Sequence, residues 1–517
     1  MATEWPRLTM AARSLLRAGP VASRGAAVLA LALLTSAAAA AEDPPRPPLA
    51  EPAAPAEPAT PAEPATPPGL MKVLARQGLH DLKDESWNAY AKFTYISSWK
   101  PSFPAAYTNL NGSINSLLPD AERSFTSTVT LFLGLKLWQG GEAYFVPEMI
   151  AERPFSQLRG LGGAIQNFEL QKTGGETPQL YRSRAYLRQT FGYGGGTVDK
   201  DSDQMQLGAT VDRRRVVVTL GNFSILDFFD RNSFTSDTRQ QFLSLAFMTH
   251  GAWDFASDAR GYSWGGAVEL FHDDWALRLA RISPPQNPNQ LPVGLRLDRY
   301  YGDTLELEHG HKLLGREGVV RLLAFRNREV MGRFDDAIAA VGADPAKNAA
   351  ACTSFNYSSA NSTAPDLCWV RRPNIKIGIG INLEQHVSED AGFFFRAMFS
   401  DGQTEVQAYT SADRSLTLGG LAKGSAWGRP ADLAGIGAGI GWISQAHSDY
   451  LKLGGIDGFI GDGNISQAPE ANLESFYSLN FLSAFWVTGD YQRIWNPAFN
   501  ADRGPVNVFG LRLHAQY

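Results

Sequence analysis

From Trp87 to Tyr517 hydrophobic and polar residues alternate with a period of two in one segment after another. In "NIKIGIGINLE" (374–384), Ile375, Ile377, Ile379, Ile381 and Leu383 hold one set of positions, and Lys376, Gly378, Gly380, Asn382 and Glu384 hold the other. In "TVTLFLGLKLW" (128–138), Val129, Leu131, Leu133, Leu135 and Leu137 share one face against Thr128, Thr130, Gly134 and Lys136. "WNAYAKFTY" (87–95) and "NVFGLRLHAQY" (507–517) behave alike. Successive side chains of a strand point to opposite faces, so each segment reads as a β-strand with one greasy and one polar side. Turn clusters such as "GYGGGTVDKDSD" and "HDDW" separate the strands, and no convincing long helix is present.

Two all-β architectures accept this pattern. In a soluble sandwich the isoleucines of 375–381 face a protein core. In a membrane barrel they face lipid, and Lys376 and Glu384 line a wet interior. The segments run to about 9–11 residues, the length a tilted membrane strand needs. Aromatics stand at expected strand ends (Trp87, Tyr95, Trp138, Trp264, Trp275, Tyr491), as an interfacial girdle requires. The last strand ends on Tyr517 with no polar tail. A closed barrel leaves no unpaired edge in hydrocarbon. The expected fold is therefore an all-β transmembrane antiparallel barrel. At some 27 residues per strand and connection, it has about 16 strands, a size that leaves an aqueous lumen.

The N-terminal part follows other rules. Residues 1–41 read as a signal peptide: Arg7, Arg13, Arg17 and Arg24 precede the apolar, alanine-rich run 26–41. Met1 and Met10 both stand as the start. Residues 42–68 form a Pro-rich linker in which "AEPATP" occurs twice, extended and unable to build a core. Residues 69–86 carry a weak helical spacing at Leu70, Leu74 and Leu82 and are expected as a short periplasmic segment. Residues 87–517 are the barrel. Charged residues make up only 19% and the net charge is −5, which argues against a nucleic-acid partner.

Beyond its alternation the chain carries "WGRPADLAGIGAGIGWISQAHSDYLKLGGIDGFIGDG" (427–463), "DYQRIWNPAFNADRGPVNVFGLRLHAQY" (490–517), "LWQGGEAYFVPE" (137–148), "TPQLYRSRAYLRQTF" (177–191) and the stretch 228–270. In these segments it resembles the carbohydrate-selective porins, the OprB-like family. The resemblance implies a sixteen-stranded outer-membrane barrel of a Gram-negative bacterium that passes monosaccharides such as glucose by passive diffusion, without a cofactor and without enzymatic activity. The expected partners are monosaccharides, outer-membrane lipid and lipopolysaccharide, and the barrel-assembly machinery that would engage Tyr517. Homotrimer and monomer both stay open. A nonspecific or polysaccharide-exporting barrel and a secreted β-rich glycoside hydrolase remain the alternatives.

Several side chains are candidates for the selecting wall. Arg182, Arg184, Tyr186 and Arg188 alternate in "LYRSRAYLRQTF" and are expected on one face. A guanidinium facing lipid at mid-depth costs roughly 2–4 kcal/mol, so that face is the lumen. Guanidinium forks donate to vicinal hydroxyls, and a tyrosine stacks on a sugar face. Bracing of wall carboxylates is the competing role. Glu142, Glu148, Lys376 and Glu384 join the pore-lining set, and Glu269, Glu306 and Glu308 supply further carboxylates. Phe132 interrupts the polar face of its strand and Trp138 continues that face; each is a sugar platform or a packing surface for an infolded loop. The glycine-rich connection 150–179 is expected to fold inward and narrow the pore. The alternating glycines of "GIGAGIG" (435–441) share one face and make room for lumen contents. "HGH" (309–311) lacks a third ligand and is read as a turn, with no metal site. Cys352 and Cys368 lie in one aperiodic loop and are expected to form a disulfide.

Overall fold

The alternation of Trp87–Lys100 becomes a strand, β1, whose odd residues face outward and whose even residues are covered: Trp87, Phe93 and Trp99 are exposed while Asn88, Thr94, Ser98 and Lys100 are buried. A computed structural model describes residues 69–170, 175–408 and 410–517, so the expected signal peptide and linker (1–68) lie outside it. In chain order the next strands are β2 (Glu122–Trp138), β3 (Gly141–Arg153), β4 (Gln179–Gly192), β5 (Thr197–Lys200) and β6 (Ala209–Asp212). Then come β7 (Arg215–Phe223), β8 (Ser263–His272), β9 (Trp275–Ile282), β10 (Tyr301–Leu313), β11 (Arg316–Met331) and β12 (Arg372–His386). The last six are β13 (Ala391–Ser400), β14 (Arg414–Gly424), β15 (Arg429–Trp442), β16 (Glu470–Phe481), β17 (Phe485–Trp495) and β18 (Val506–Gln516).

Sixteen of these close a single antiparallel barrel; β5 and β6 form a separate two-stranded hairpin. Closure is made by β1 on β18, with Lys92 opposite Gln516 and Trp99 opposite Phe509. The barrel strands run from 8 to 17 residues, so many exceed the 9–11 expected and carry the wall beyond the hydrocarbon. Ile375, Ile377 and Ile379 are 52–60% exposed on the outside of β12, whereas Lys376 and Glu384 are covered on the inside. This settles the orientation of the 374–384 alternation: none of the described residues covers the greasy face, as a lipid-facing wall requires. Among the expected girdle residues, Trp87, Trp138, Trp264 and Trp275 stand at or next to strand ends, but Tyr95 and Tyr491 lie inside β1 and β17.

The two ends of the barrel differ. At one end six connections have two to four residues and a seventh, between β4 and β7, spans 193–214 and carries the β5–β6 hairpin. At the other end the connections have 10 to 40 residues. The segment before β1 lies at the short-turn end. Its helix α1 (Leu70–Arg76) buries Met71 and leaves Leu70 exposed.

The described parts of three long connections, within 154–178, 224–262 and 401–413, turn into the barrel. A buried backbone amide needs a partner, and the wall supplies carboxylates. Glu470 of β16 accepts from the amides of Gly162 (2.9 Å), Gly163 (2.6 Å) and Ala164 (2.8 Å). Glu474 accepts from Leu243 and Ser244, and Glu384 from Ser233. Glu306 accepts from Asp230 at 2.7 Å. The 224–262 connection also brings Phe234, Phe242 and Phe247 against wall residues Phe394, Leu421 and Phe476. Glycine makes this fit possible: a Cβ on Gly435 would stand 2.3 Å from the Phe476 ring and 3.1 Å from Phe242, and one on Gly437 2.9 Å from Phe247. The alternating glycines of 435–441 thus open the inner wall to the rings of an infolded loop.

Candidate functional site

The arginines of β4 do not all share a face. Antiparallel partners do, and β3 presents Glu142, Tyr144, Val146 and Glu148 inward. Arg188 stands opposite Glu142, Tyr186 opposite Tyr144 and Arg184 opposite Val146. A bulge then inserts Ser183, and Arg182 pairs with outward-facing Pro147 while Tyr181 pairs with Glu148. Arg182 is therefore on the outer surface, 4.9 Å over the ring of Trp264 near the long-loop rim, and the expected lumen ladder loses its first member. An outward arginine is tolerated there because the rim lies outside the hydrocarbon midplane.

Arg184, Tyr186 and Arg188 line an internal cavity of about 840 Å³ together with Glu148, Phe132 and Glu384. That volume is in the range of small-molecule sites. Arg184 is committed: its Nε and Nη2 donate to the two oxygens of Asp227 at 2.7 and 2.6 Å. Arg188 is held differently. Its guanidinium lies over Tyr144 (5.1 Å), Tyr186 (5.4 Å) and Phe228 (5.8 Å), Nη1 donates to the carbonyl of Met205 at 3.0 Å, Nη2 to the Tyr186 hydroxyl at 3.4 Å, and the buried Nε finds no hydrogen-bond partner among the described residues. Glu142 accepts from the Tyr144 hydroxyl at 2.8 Å and stands 3.7 Å from Arg188. Glu148 accepts from Thr130 at 2.7 Å, from Arg239 at 2.8 Å, and from Tyr181.

On the far wall charged side chains alternate in sign. Arg278 of β9 reaches Glu269 (2.9 Å), Glu306 (2.9 Å) and Glu308 (3.1 Å). Arg321 of β11 joins Glu308 (2.6 Å) to Glu384 (3.4 Å). The cavity wall thus offers guanidinium donors, carboxylate acceptors and ring faces. In a lumen of this kind opposed charges create a transverse field that orients dipolar solutes. From the short-turn side Lys200 of β5 also reaches the cavity; burial and then the nearby Arg188 push its ammonium down to about 8.

Other candidates sit elsewhere. Lys376 is buried beneath the infolded loops, 2.9 Å from Asp254 of 224–262, and anchors a loop. Phe132 faces the cavity, whereas Trp138 is 59% exposed at the short-turn rim, its Nε1 2.6 Å from Gln189. His309 and His311 lie in β10 and not in a turn; His309 stacks on Trp275 at 4.2 Å. Cys352 and Cys368 are joined by a disulfide in the 332–371 connection. Among the described residues one grouping of three potential metal ligands occurs, Cys352, Asp366 and Cys368, and two of its atoms are the bonded sulfurs.

The residues missed from sequence divide by signal. Arg278 sits between Ala276 and Ala280 on the inner face of β9, opposite Leu277 and Leu279, so alternation marks it. Asp227, Phe228, Arg239 and Tyr262 come from the aperiodic 224–262 connection, where no spacing marks them.

Among solved structures the chain is similar to the high-pH structure of Pseudomonas putida OprB, at 17% identity over 84% of this chain and 94% of that one, with a TM-score of 0.60. The outer membrane channel DcaP of Acinetobacter baumannii aligns at 10% identity over 83% of this chain and 97% of that one, with a TM-score of 0.44. The first likeness agrees with the barrel fold described above. No curated protein matches the chain. Residues 116–517, well over half of the chain, match the carbohydrate-selective porin, OprB family, and with its closed sixteen-stranded barrel the protein belongs to that family of outer-membrane sugar porins.

Proposed function

We propose that the barrel passes monosaccharides such as glucose by passive diffusion and selects them at the cavity between β4 and the β8–β12 wall. One observation carries this reading. A single cavity is lined by ring faces (Phe132, Tyr186, Phe228), the guanidinium of Arg188 and the carboxylates Glu269, Glu308 and Glu384. A sugar needs all three: donors and acceptors for its hydroxyls and a flat surface for its C–H face. Arg188 is the selecting arginine, because Arg184 spends its fork on Asp227 and holds a loop.

The test has two arms. In liposomes holding the purified protein, glucose enters faster than non-sugars of equal size; equal rates refute carbohydrate selection and leave a nonspecific porin. In planar bilayers, Arg188→Ala weakens glucose block of ion current about tenfold, the loss of one charge-assisted hydrogen bond, while bare conductance changes less. Changed conductance with unaltered block makes Arg188 a brace.

A further inference from the structure

The six other connections at the short-turn end have two to four residues, but 193–214 has its own hairpin. By the short-turn rule that end is the periplasmic mouth. The hairpin tip does not trail into solvent. Lys200, Asp203, Gln204, Met205 and Gln206 line the internal cavity. Met205 is the residue whose carbonyl receives Arg188, at 3.0 Å. Its φ is +56°, a left-handed conformation that a side chain this large adopts only when surrounding contacts hold it.

Those contacts converge on a carboxylate outside the barrel strands. Glu85, 1% exposed, accepts from the Gly208 amide (2.7 Å), Ser202 Oγ (2.6 Å) and Asn88 Nδ2 (3.1 Å), with His80 Nε2 at 2.9 Å. Its own amide donates to the Gly208 carbonyl at 2.9 Å. Asn88 in turn donates to the carbonyls of Asp203 (3.2 Å) and Gln206 (2.8 Å), and the Leu207 amide donates to the Tyr144 hydroxyl at 3.1 Å. Gly208 permits the approach: a Cβ there would stand 1.9 Å from the Leu82 carbonyl oxygen.

We propose that residues 201–208 form an inner filter at the periplasmic mouth, and that Glu85 is the positioning residue that fixes it and, through Met205, sets Arg188 for solute recognition. The proposal rests on the sugar-selecting reading of the cavity. It deepens that reading by placing half of the selecting geometry on a periplasmic loop and an N-terminal carboxylate that no solute touches. Glu85 acts on Arg188 through two connected links: the carboxylate holds both ends of the tip at Ser202 and Gly208, and the tip holds the guanidinium at Met205.

The experiment is a cycle of Glu85→Ala, Arg188→Ala and the double variant, read as glucose block and bare conductance in planar bilayers. Wild-type protein comes first: if glucose gives no block, the sugar reading fails and the inner filter falls with it. With block present, Glu85→Ala is expected to weaken it about tenfold, as Arg188→Ala does, and the double variant to weaken it no further, because both remove one coupled unit. Bare conductance rises in Glu85→Ala as the tip withdraws. Glu85→Gln restores block: the amide oxygen still receives Gly208 and its NH₂ faces Ser202 and His80. Wild-type block in Glu85→Ala overturns the proposal, and so do additive losses in the double variant. A second variant guards against misfolding. Gly192 of β4 pairs with Arg215 of β7, so 193–214 can be replaced by a two-residue turn in register. In that barrel Arg188→Ala is expected to change glucose block less than twofold; a tenfold effect there overturns the proposal.

Discussion

Replacing Glu470 tests whether wall carboxylates hold the infolded loops. Glu470 opens β16, is 3% exposed, and accepts from Gly162, Gly163, Ala164 and Ala498 at 2.6–2.9 Å. In Glu470→Ala these amides lose their acceptor inside the barrel. A hydrogen bond to a charged group contributes about 1.5–3 kcal/mol net. The bonds share one carboxylate and do not add, and water entering the vacated space satisfies part of the demand. The equivalent of one to two bonds remains, about 3 kcal/mol, or roughly a 150-fold shift in the docking of the 154–178 connection. Hydrogen exchange of a peptide covering 160–166, measured in detergent, reads that equilibrium directly. Its protection falls roughly 150-fold, while a peptide from Ile375–Leu383 exchanges as in the wild type and single-channel conductance rises. Glu470→Gln, which keeps one acceptor oxygen, lies between. Unchanged protection at 160–166 in Glu470→Ala refutes the idea that this carboxylate pins the loop, and unchanged conductance refutes the idea that the loop narrows the pore.

Two further outcomes follow from the long-loop end. His447, on helix α2 (Gln445–Lys452) of the 443–469 connection, lies 3.2 Å from Asp413 and 3.2 Å from Asp457; burial alone would lower its pKa, but the two carboxylates outweigh burial and lift it to about 9. A folded-state value above the ordinary 6.5 stabilises the loop packing fully below pH ~6.5 and loses that stabilisation as pH rises through about 9, in all about 3 kcal/mol. Proteolytic nicking of 443–469 should therefore climb between pH 7 and 9.5, and His447→Gln should abolish the pH dependence; a flat wild-type profile refutes the clamp. Reduction of the Cys352–Cys368 disulfide, which spans a separation of 16 residues, should loosen the 332–371 connection by about 3 kcal/mol. The barrel should melt at the same temperature, because its closure rests on strand-to-strand pairing and not on that loop; a fall of several degrees contradicts this.

The strands were legible because their signal is local. Alternation such as Ile375–Leu383 against Lys376–Glu384 depends only on the pleat, so the strands themselves followed from one periodicity; strand length and end aromatics then set the orientation, the cost of an open edge in hydrocarbon the closure, and chain length the strand number. The same periodicity misplaced Arg182. A bulge shifts phase by one residue, and Ser183 gives no sign that two residues of β4 will oppose one junction of β3. The "GYGGGTVDKDSD" stretch read as a turn, and its hairpin was hidden because Thr197–Lys200 and Ala209–Asp212 are too short to show a period.

What the sequence determined by itself is the wall: sixteen amphipathic strands, the greasy side out, the inner side rich in Arg, Glu and small residues. What only the tertiary structure decided is how that inner side is used. Glu470, Glu474 and Glu384 carry loop amides, Lys376 holds Asp254, Arg184 is taken by Asp227, and Arg188 is held at the cavity by ring faces and the Met205 carbonyl. These partners come from 162–164, 227–254 and 205, far along the chain and without periodicity. Alternation tells which way a side chain points but not what fills the space it points into, and inside a barrel that space is filled by segments whose folding is set by the wall around them.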